Sequence, residues 1–138
     1  MTVLVDTSVW SLALRKRTLI PEEQRYVDEL RELITELRVA TIGPIRQELL
    51  SGISEPAKFV QLRDRLQAFE DLTVTQQDYE TAAEYSNECR RRGIQGSHTD
   101  FLICAVSVAN QMSIFTTDRD FRNYATVLPV RHHSVREG

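Results

Sequence analysis

Asp6, Glu48, Asp100 and Asp118 are spread across a chain of 138 residues, and each stands beside a run that ought to be buried. In "VLVDTSVW" the chain passes from Val3, Leu4 and Val5 directly to Asp6. "IFTTDRDF" repeats the pattern, with Ile114 and Phe115 giving way to Asp118 and Asp120. Asp100 follows the polar turn "QGSHT" and precedes the apolar run "FLICAVSVA". Glu48 lies one turn beyond Ile45, at the edge of an apolar arc. Taken singly, Asp6, Asp100 and Asp118 precede helices, where a carboxylate caps free N–H groups for about 1 kcal/mol. Glu48 alone reads as a partly solvated helix residue, and Asp120 as an exposed first-turn acid. Capping does not explain the set. Carboxylates that meet in one pocket repel, which raises their pKa values and destabilises the fold unless cations neutralise them. Oxygen ligands with no Cys or His among them suit Mg²⁺ or Mn²⁺.

The elements around these acids decide whether they can meet. "TVLV" at 2–5 is short and β-branched, as a buried strand is. Asp6, Thr7 and Ser8 then offer N-cap chemistry to a helix carrying Val9, Trp10, Ala13 and Leu14. Pro21 with Glu22 and Glu23 opens a second helix, whose apolar positions run from Tyr26 to Leu37. "RVATI" at 38–42 reads as a strand, and Gly43-Pro44 begins a helix through Ile45, Leu49 and Ile53. From Pro56 the spacing of Phe59, Leu62, Leu66 and Phe69 is again helical. "LTVT" at 72–75 is strand-like. Tyr79 to Cys89 mark a helix closed by Arg90-Arg91-Arg92-Gly93. The segment 99–111 is apolar nearly all round, "SIFTT" supplies a strand, 118–125 a short helix, and "TVLPV" a last strand edged by Pro129. Alternating strands and helices predict an α/β fold, a short parallel central sheet flanked by helices on both faces. In such a sheet ligands bind beyond the carboxyl ends of the strands, where Asp6 and Asp118 fall.

This length fits one domain over 1–138, and 41% hydrophobic with 27% charged residues is ordinary for a globular chain. No apolar run approaches the ~20 residues that span a bilayer. The chain goes directly into a strand-like run without a basic leader or cleavage site, so a cytoplasmic domain is expected. Cys89 and Cys104 show no ligand spacing and read as reduced packing residues. A net charge of −3 argues against a general basic coat for nucleic acid. A local patch is still available in Arg90–Arg92 or in Arg15, Lys16 and Arg17, although each cluster reads first as a solvated helix end. Trp10 reads as core or as dimer surface.

Together "VLVDTSVW", "IRQELLSG" at 45–52, "HTDFLICAVSVA" at 98–109 and "FTTDRDF" at 115–121 resemble a PIN domain, and the short length and opening strand resemble the VapC-type toxins of bacterial toxin–antitoxin pairs. The resemblance covers nearly the whole chain. It implies a PIN-like domain with a catalytic acidic site at Asp6, Glu48, Asp100 and Asp118. Metal would be held by Asp6, Asp100 and Asp118, with Glu48 and Asp120 as further candidates. Thr116 matches the threonine of the family's Thr-x-Asp element, and Thr7 and Ser8 match the small hydroxyl residues after the first aspartate. The implied activity is Mg²⁺-dependent endoribonuclease, with Mn²⁺ as substitute. The implied partners are RNA, a small antitoxin that blocks the acidic groove, and a second copy in a homodimer.

Rival readings have their own requirements. A metal-free nuclease would use histidines as acid and base, for which His98, His132 and His133 are available. A phosphoacceptor signalling domain wants paired acids after the first strand and a lysine after a late one, whereas Thr7 and Ser8 follow Asp6 and the only lysines are Lys16 and Lys58. A nucleotide-binding Rossmann unit needs a glycine-rich turn that "DTSVW" does not supply. A degenerate PIN fold that only binds is disfavoured because all four acids are present.

Overall fold

The structure is a computed structural model that describes residues 1–14 and 17–137. Arg15 and Lys16, part of one candidate basic patch, lie outside the described residues.

Val3–Val5 forms β1, buried at every position. Helices α1 (Thr7–Leu14) and α2 (Pro21–Thr35) follow, then β2 (Val39–Ala40). Next come α3 (Gly43–Ser51), α4 (Pro56–Leu66), α5 (Gln76–Arg91) and α6 (His98–Ala109). The chain returns through β3 (Ser113–Phe115) to α7 (Asp120–Ala125). Pro21, Pro44 and Pro56 all sit in the first turn of their helices, where the absent N–H costs nothing.

The sheet order is β2-β1-β3, all parallel. The chain therefore crosses one way from β1 to β2 and the other way from β2 to β3. With right-handed crossovers, α1–α2 and α5–α6 cover opposite faces. Burial on both faces explains why β1 is uniformly apolar rather than alternating. The core is dominated by Phe101, Phe115, Phe121 and Tyr124, each essentially inaccessible. Residues 101–107 of α6 are buried without a break, as their all-round apolarity requires. Cys89 and Cys104 are free and buried, the packing role expected of them. Among the described residues, no helix is long and apolar enough to cross a membrane.

Two expected strands are not formed. "LTVT" reduces to one bridge between Thr41 and Asp71, closed by Leu72 N donating to Thr41 O at 2.8 Å. In "TVLPV" the amides of Thr126, Val127 and Leu128 turn back onto α7, and Pro129 has no N–H to offer a ladder. The chain meets β3 only at His132, where Ile114 exchanges bonds with Arg131 and His133 at 2.8 Å each.

That tail is tied down a second time. Glu29 on α2 is 2% exposed and accepts from His133 Nε2 at 2.6 Å and Arg136 Nε at 2.8 Å. Burial alone would raise the Glu29 carboxyl, but these bonds outweigh it and hold it below the ordinary value. Arg136 also grips Glu36, whose carboxyl, with help from Arg38, is pulled down to about 2.

Candidate metal centre

The register that pairs Val5 with Phe115 delivers Asp6 and Thr116 side by side where β1 and β3 end. Asp6 N donates to Phe115 O at 2.9 Å, extending the ladder by one rung. Asp6 is 6% exposed, and its Oδ2 accepts from the hydroxyls of Ser8 and Thr116, both at 2.8 Å. The two hydroxyls lie 3.2 Å apart, and each reaches onward: Ser8 Oγ accepts from Thr117 N and Thr116 Oγ1 from Asp118 N, both at 3.0 Å. Among the described residues every hydrogen bond to the Asp6 carboxylate falls on Oδ2, so Oδ1 is left to other partners.

Asp100 comes from a helix rather than a strand end. It is the third residue of α6, and the helix is capped by Ser97, whose Oγ accepts from Asp100 N at 3.0 Å. Its own carboxylate is thus not the cap. Instead Asp100 Oδ2 accepts from the Tyr124 hydroxyl at 2.7 Å. Tyr124 is buried between Phe101 and Phe121, with ring centroids 5.0 and 5.2 Å away. Gly96 leaves room for that phenol, since a Cβ there would stand 2.3 Å from the Tyr124 oxygen. Burial raises the Asp100 carboxyl above its ordinary value, the Tyr124 bond opposes this, and Asp6 and Asp118 add repulsion.

Asp118 Oδ1 accepts from Asp120 N at 2.9 Å, which starts α7 and brings the two carboxylates together. One oxygen each from Asp100, Asp118 and Asp120 lies within 4.8 Å of the others. Glu48 on α3 stands outside this triangle and is exposed. Partial burial raises it, and then Asp6 and Asp100 do so by repulsion. The Thr7 hydroxyl favours ionised Glu48, although the two fall short of hydrogen-bonding geometry and the hydroxyl is buried without a partner. The helix carrying Glu48 is held by Arg46, which chelates Asp71 at 3.0–3.1 Å and binds the carbonyls of Leu66 and Phe69.

Of the four acids singled out in the sequence, Asp100 feels Asp6 and Asp118, and Glu48 feels Asp6 and Asp100, but the oxygen cluster takes Asp120 in place of Asp6 and Glu48. The donor set is all oxygen, which fits a hard divalent cation. Tyr124 escaped the sequence reading. Its signal was its place four residues after Asp120, on the same helical face. The three histidines do not converge: His98 lines a groove with Tyr79 and Leu102, whereas His132 and His133 line a cleft with Asp118. His133 is moreover engaged with Glu29.

The family model described as "PIN domain" matches residues 3–127. No curated protein matches the sequence. The chain is similar in fold to FitAcB from Neisseria gonorrhoeae, at 22% identity and TM-score 0.77, covering 96% of this chain and 97% of that one. VapBC2 from Rickettsia felis, bound to a DNA fragment from its promoter, aligns at 16% identity and TM-score 0.76 over 96% and 98%. VapBC-1 from nontypeable Haemophilus influenzae aligns at 12% and 0.75 over 99% and 100%.

Proposed function

This chain belongs to the PIN-domain family, and on that premise we propose that it is a metal-dependent endoribonuclease, the toxin of a toxin–antitoxin pair. The observation that carries the reading is the oxygen triangle of Asp100, Asp118 and Asp120 at an edge shared with Asp6. PIN domains are typically metal-dependent nucleases, and the chemistry of this donor set agrees. Asp6, Asp100 and Asp118 are the residues that would hold Mg²⁺ or Mn²⁺, with Asp120 as a further oxygen. When bound, the cation lowers the pKa of water and neutralises charge growing on the phosphate.

The remaining work falls to the chain. Ser8 and Thr116 fix the rotation of Asp6 through Oδ2, and Tyr124 fixes that of Asp100. Glu48, lifted by burial and its acidic neighbours, is suited to orient the attacking water and take its proton. The water oxygen bonds to phosphorus as the P–O3′ bond breaks, and the leaving oxygen gains a proton. The products are a 5′-phosphate and a 3′-hydroxyl.

The VapC-type resemblance, together with VapBC and FitAcB assemblies among the similar folds, supports a small antitoxin as partner. It would insert a basic side chain, best an arginine, among the carboxylates. The same resemblance supports a homodimer acting in the cytoplasm, each chain one domain over 1–138 with its tail clasped to α2.

The test is cleavage of total RNA by partner-free protein with Mg²⁺, with Mn²⁺, with EDTA, and with Asp100→Asn. Discrete fragments that vanish with EDTA and in the variant are expected. Cleavage that survives EDTA would sink the metal mechanism. Metal binding without cleavage of any RNA would leave a fold that only binds.

A further inference from the structure

Beside the acidic edge lies a cleft of about 390 Å³ that shares Thr116 and Asp118 with it. Its volume falls in the range, roughly 300–1,000 Å³, of sites that hold a ligand of nucleotide size. Three arginines line it from two elements: Arg25 from α2, and Arg119 and Arg122 from the N-cap and first turn of α7. None of the three guanidinium groups has a hydrogen bond or ion pair among the described residues. Arg38, Arg46 and Arg136 are paired with carboxylates, whereas Arg65, Arg91 and Arg92 are unpaired among the described residues like these three but do not line this cleft. Of the residues lining the cleft, only Glu22 and Asp118 carry carboxylates. On a chain with net charge −3, this is a local concentration of unspent positive charge in a concave wall. The tail lines the cleft as well, from His132 to Val135, and is held in place by the bonds of His133 to Glu29 and Ile114.

We propose that this cleft is a polynucleotide subsite, in which Arg25, Arg119 and Arg122 take the phosphates next to the bond held at the acidic edge. The proposal rests on the nuclease reading and extends it by assigning the direction in which the substrate leaves the site. Guanidinium groups match phosphate oxygens bidentately. Arg25 on α2 and the pair Arg119 and Arg122 at the start of α7 reach the cleft from two elements, so more than one phosphate of a strand can be met there. Continuity with Asp118 favours a phosphodiester chain over an acidic peptide, because the next phosphate of a strand is what the neighbouring centre would act on.

The experiment measures binding of a labelled single-stranded RNA 12-mer by fluorescence anisotropy between 50 and 200 mM salt. Asp100→Asn protein is the parent, compared with the same protein carrying Arg25→Ala and Arg122→Ala. Arg63→Ala with Arg65→Ala on α4 is the control, and thermal melts verify folding. Each phosphate that is no longer neutralised lowers the slope of log K against log salt by about 0.7. The cleft variant should lose about 1.4 in slope and at least tenfold in affinity at low salt, and the control neither. An unchanged slope overturns the proposal, as does a parent that binds no RNA. Equal binding of a polyglutamate 12-mer, abolished by the same substitutions, also overturns it, in favour of a protein partner. The two readings fail separately. RNA cleaved by the chain without Asp100→Asn, with unaltered KM in the arginine variant, removes the cleft and leaves the nuclease. Slope loss with no cleavage in any metal removes the nuclease and leaves the cleft.

Discussion

Tyr124 is a core residue by burial and a site residue by its hydroxyl. Its bond to Asp100 favours the ionised carboxylate against the burial that opposes it. Tyr124→Phe keeps the packing against Phe101 and Phe121 and deletes only the oxygen. Outer partners of metal ligands of this kind are worth roughly 10–100-fold in metal affinity. The expected outcome is a fall of about tenfold in Mn²⁺ affinity by calorimetry, with the onset of binding moved to higher pH. An unchanged titration would show that Asp100 orients itself without help. The same pair shows the limit of sequence reading at this scale. Acids at strand ends announce themselves by type and neighbour. A tyrosine among apolar residues does not, because its hydroxyl acquires meaning only when Gly96 and Asp100, distant by 28 and 24 positions, come against it.

At the scale of elements, the helices were legible because proline, glycine and 3.6-residue spacing act locally. Pro21, Pro44 and Pro56 mark three helix starts within a residue or so. The strands at the sheet margins were not. β-Branched composition at 72–75 and 126–130 raised an expectation that tertiary pairing did not meet, and each margin is closed by one bridge. The tail instead depends on Glu29, an acid that interrupts the apolar face of α2 and would read as a solvated charge. Removing it deletes four bonds to a carboxylate, one from His133 and three from the side chain and backbone of Arg136. Such bonds are worth about 1.5–3 kcal/mol each before the desolvation of the carboxylate is subtracted. Glu29→Ala is expected to lower stability by roughly 2 kcal/mol in urea unfolding. It should also loosen the amide of His133 to hydrogen exchange. A loss confined to a few tenths would mean that the bond to Ile114 alone secures the tail.

For the whole molecule, the acidic edge is a cost to folding that conditions can relieve. The Asp100 and Glu48 carboxyls are both raised, so the folded chain holds their protons more tightly than the unfolded one. Stability from this source is full below the ordinary carboxylate range and is lost as pH rises through the folded values. Glu29 and Glu36 act oppositely, since their contribution is present above the ordinary value and disappears as pH falls through the lowered ones, about 2 for Glu36. In EDTA, the melting temperature should therefore fall as pH rises from the ordinary carboxylate range through the raised values of Asp100 and Glu48. Asp100→Asn should flatten part of that slope and melt roughly 2–4 °C higher at about pH 7. Mg²⁺ at about a hundredfold its Kd should stabilise the unmodified chain by about 2.7 kcal/mol and the variant far less. A flat profile, with no response to metal, would mean that the carboxylates do not strain one another.

The pair of hydroxyls on Asp6 carries one more consequence, for how the site tolerates change. Ser8 and Thr116 both donate to the same oxygen, so the orientation of Asp6 is specified twice. Ser8 also serves Thr117, a turn amide, while Thr116 also serves Asp118. The duplication is therefore lopsided. A lineage can let Ser8 drift while Thr116 stands, but once Thr116 is gone Asp6 rests on Ser8 alone while the backbone of Asp118 loses its acceptor, and Ser8 becomes a position with no freedom left to vary.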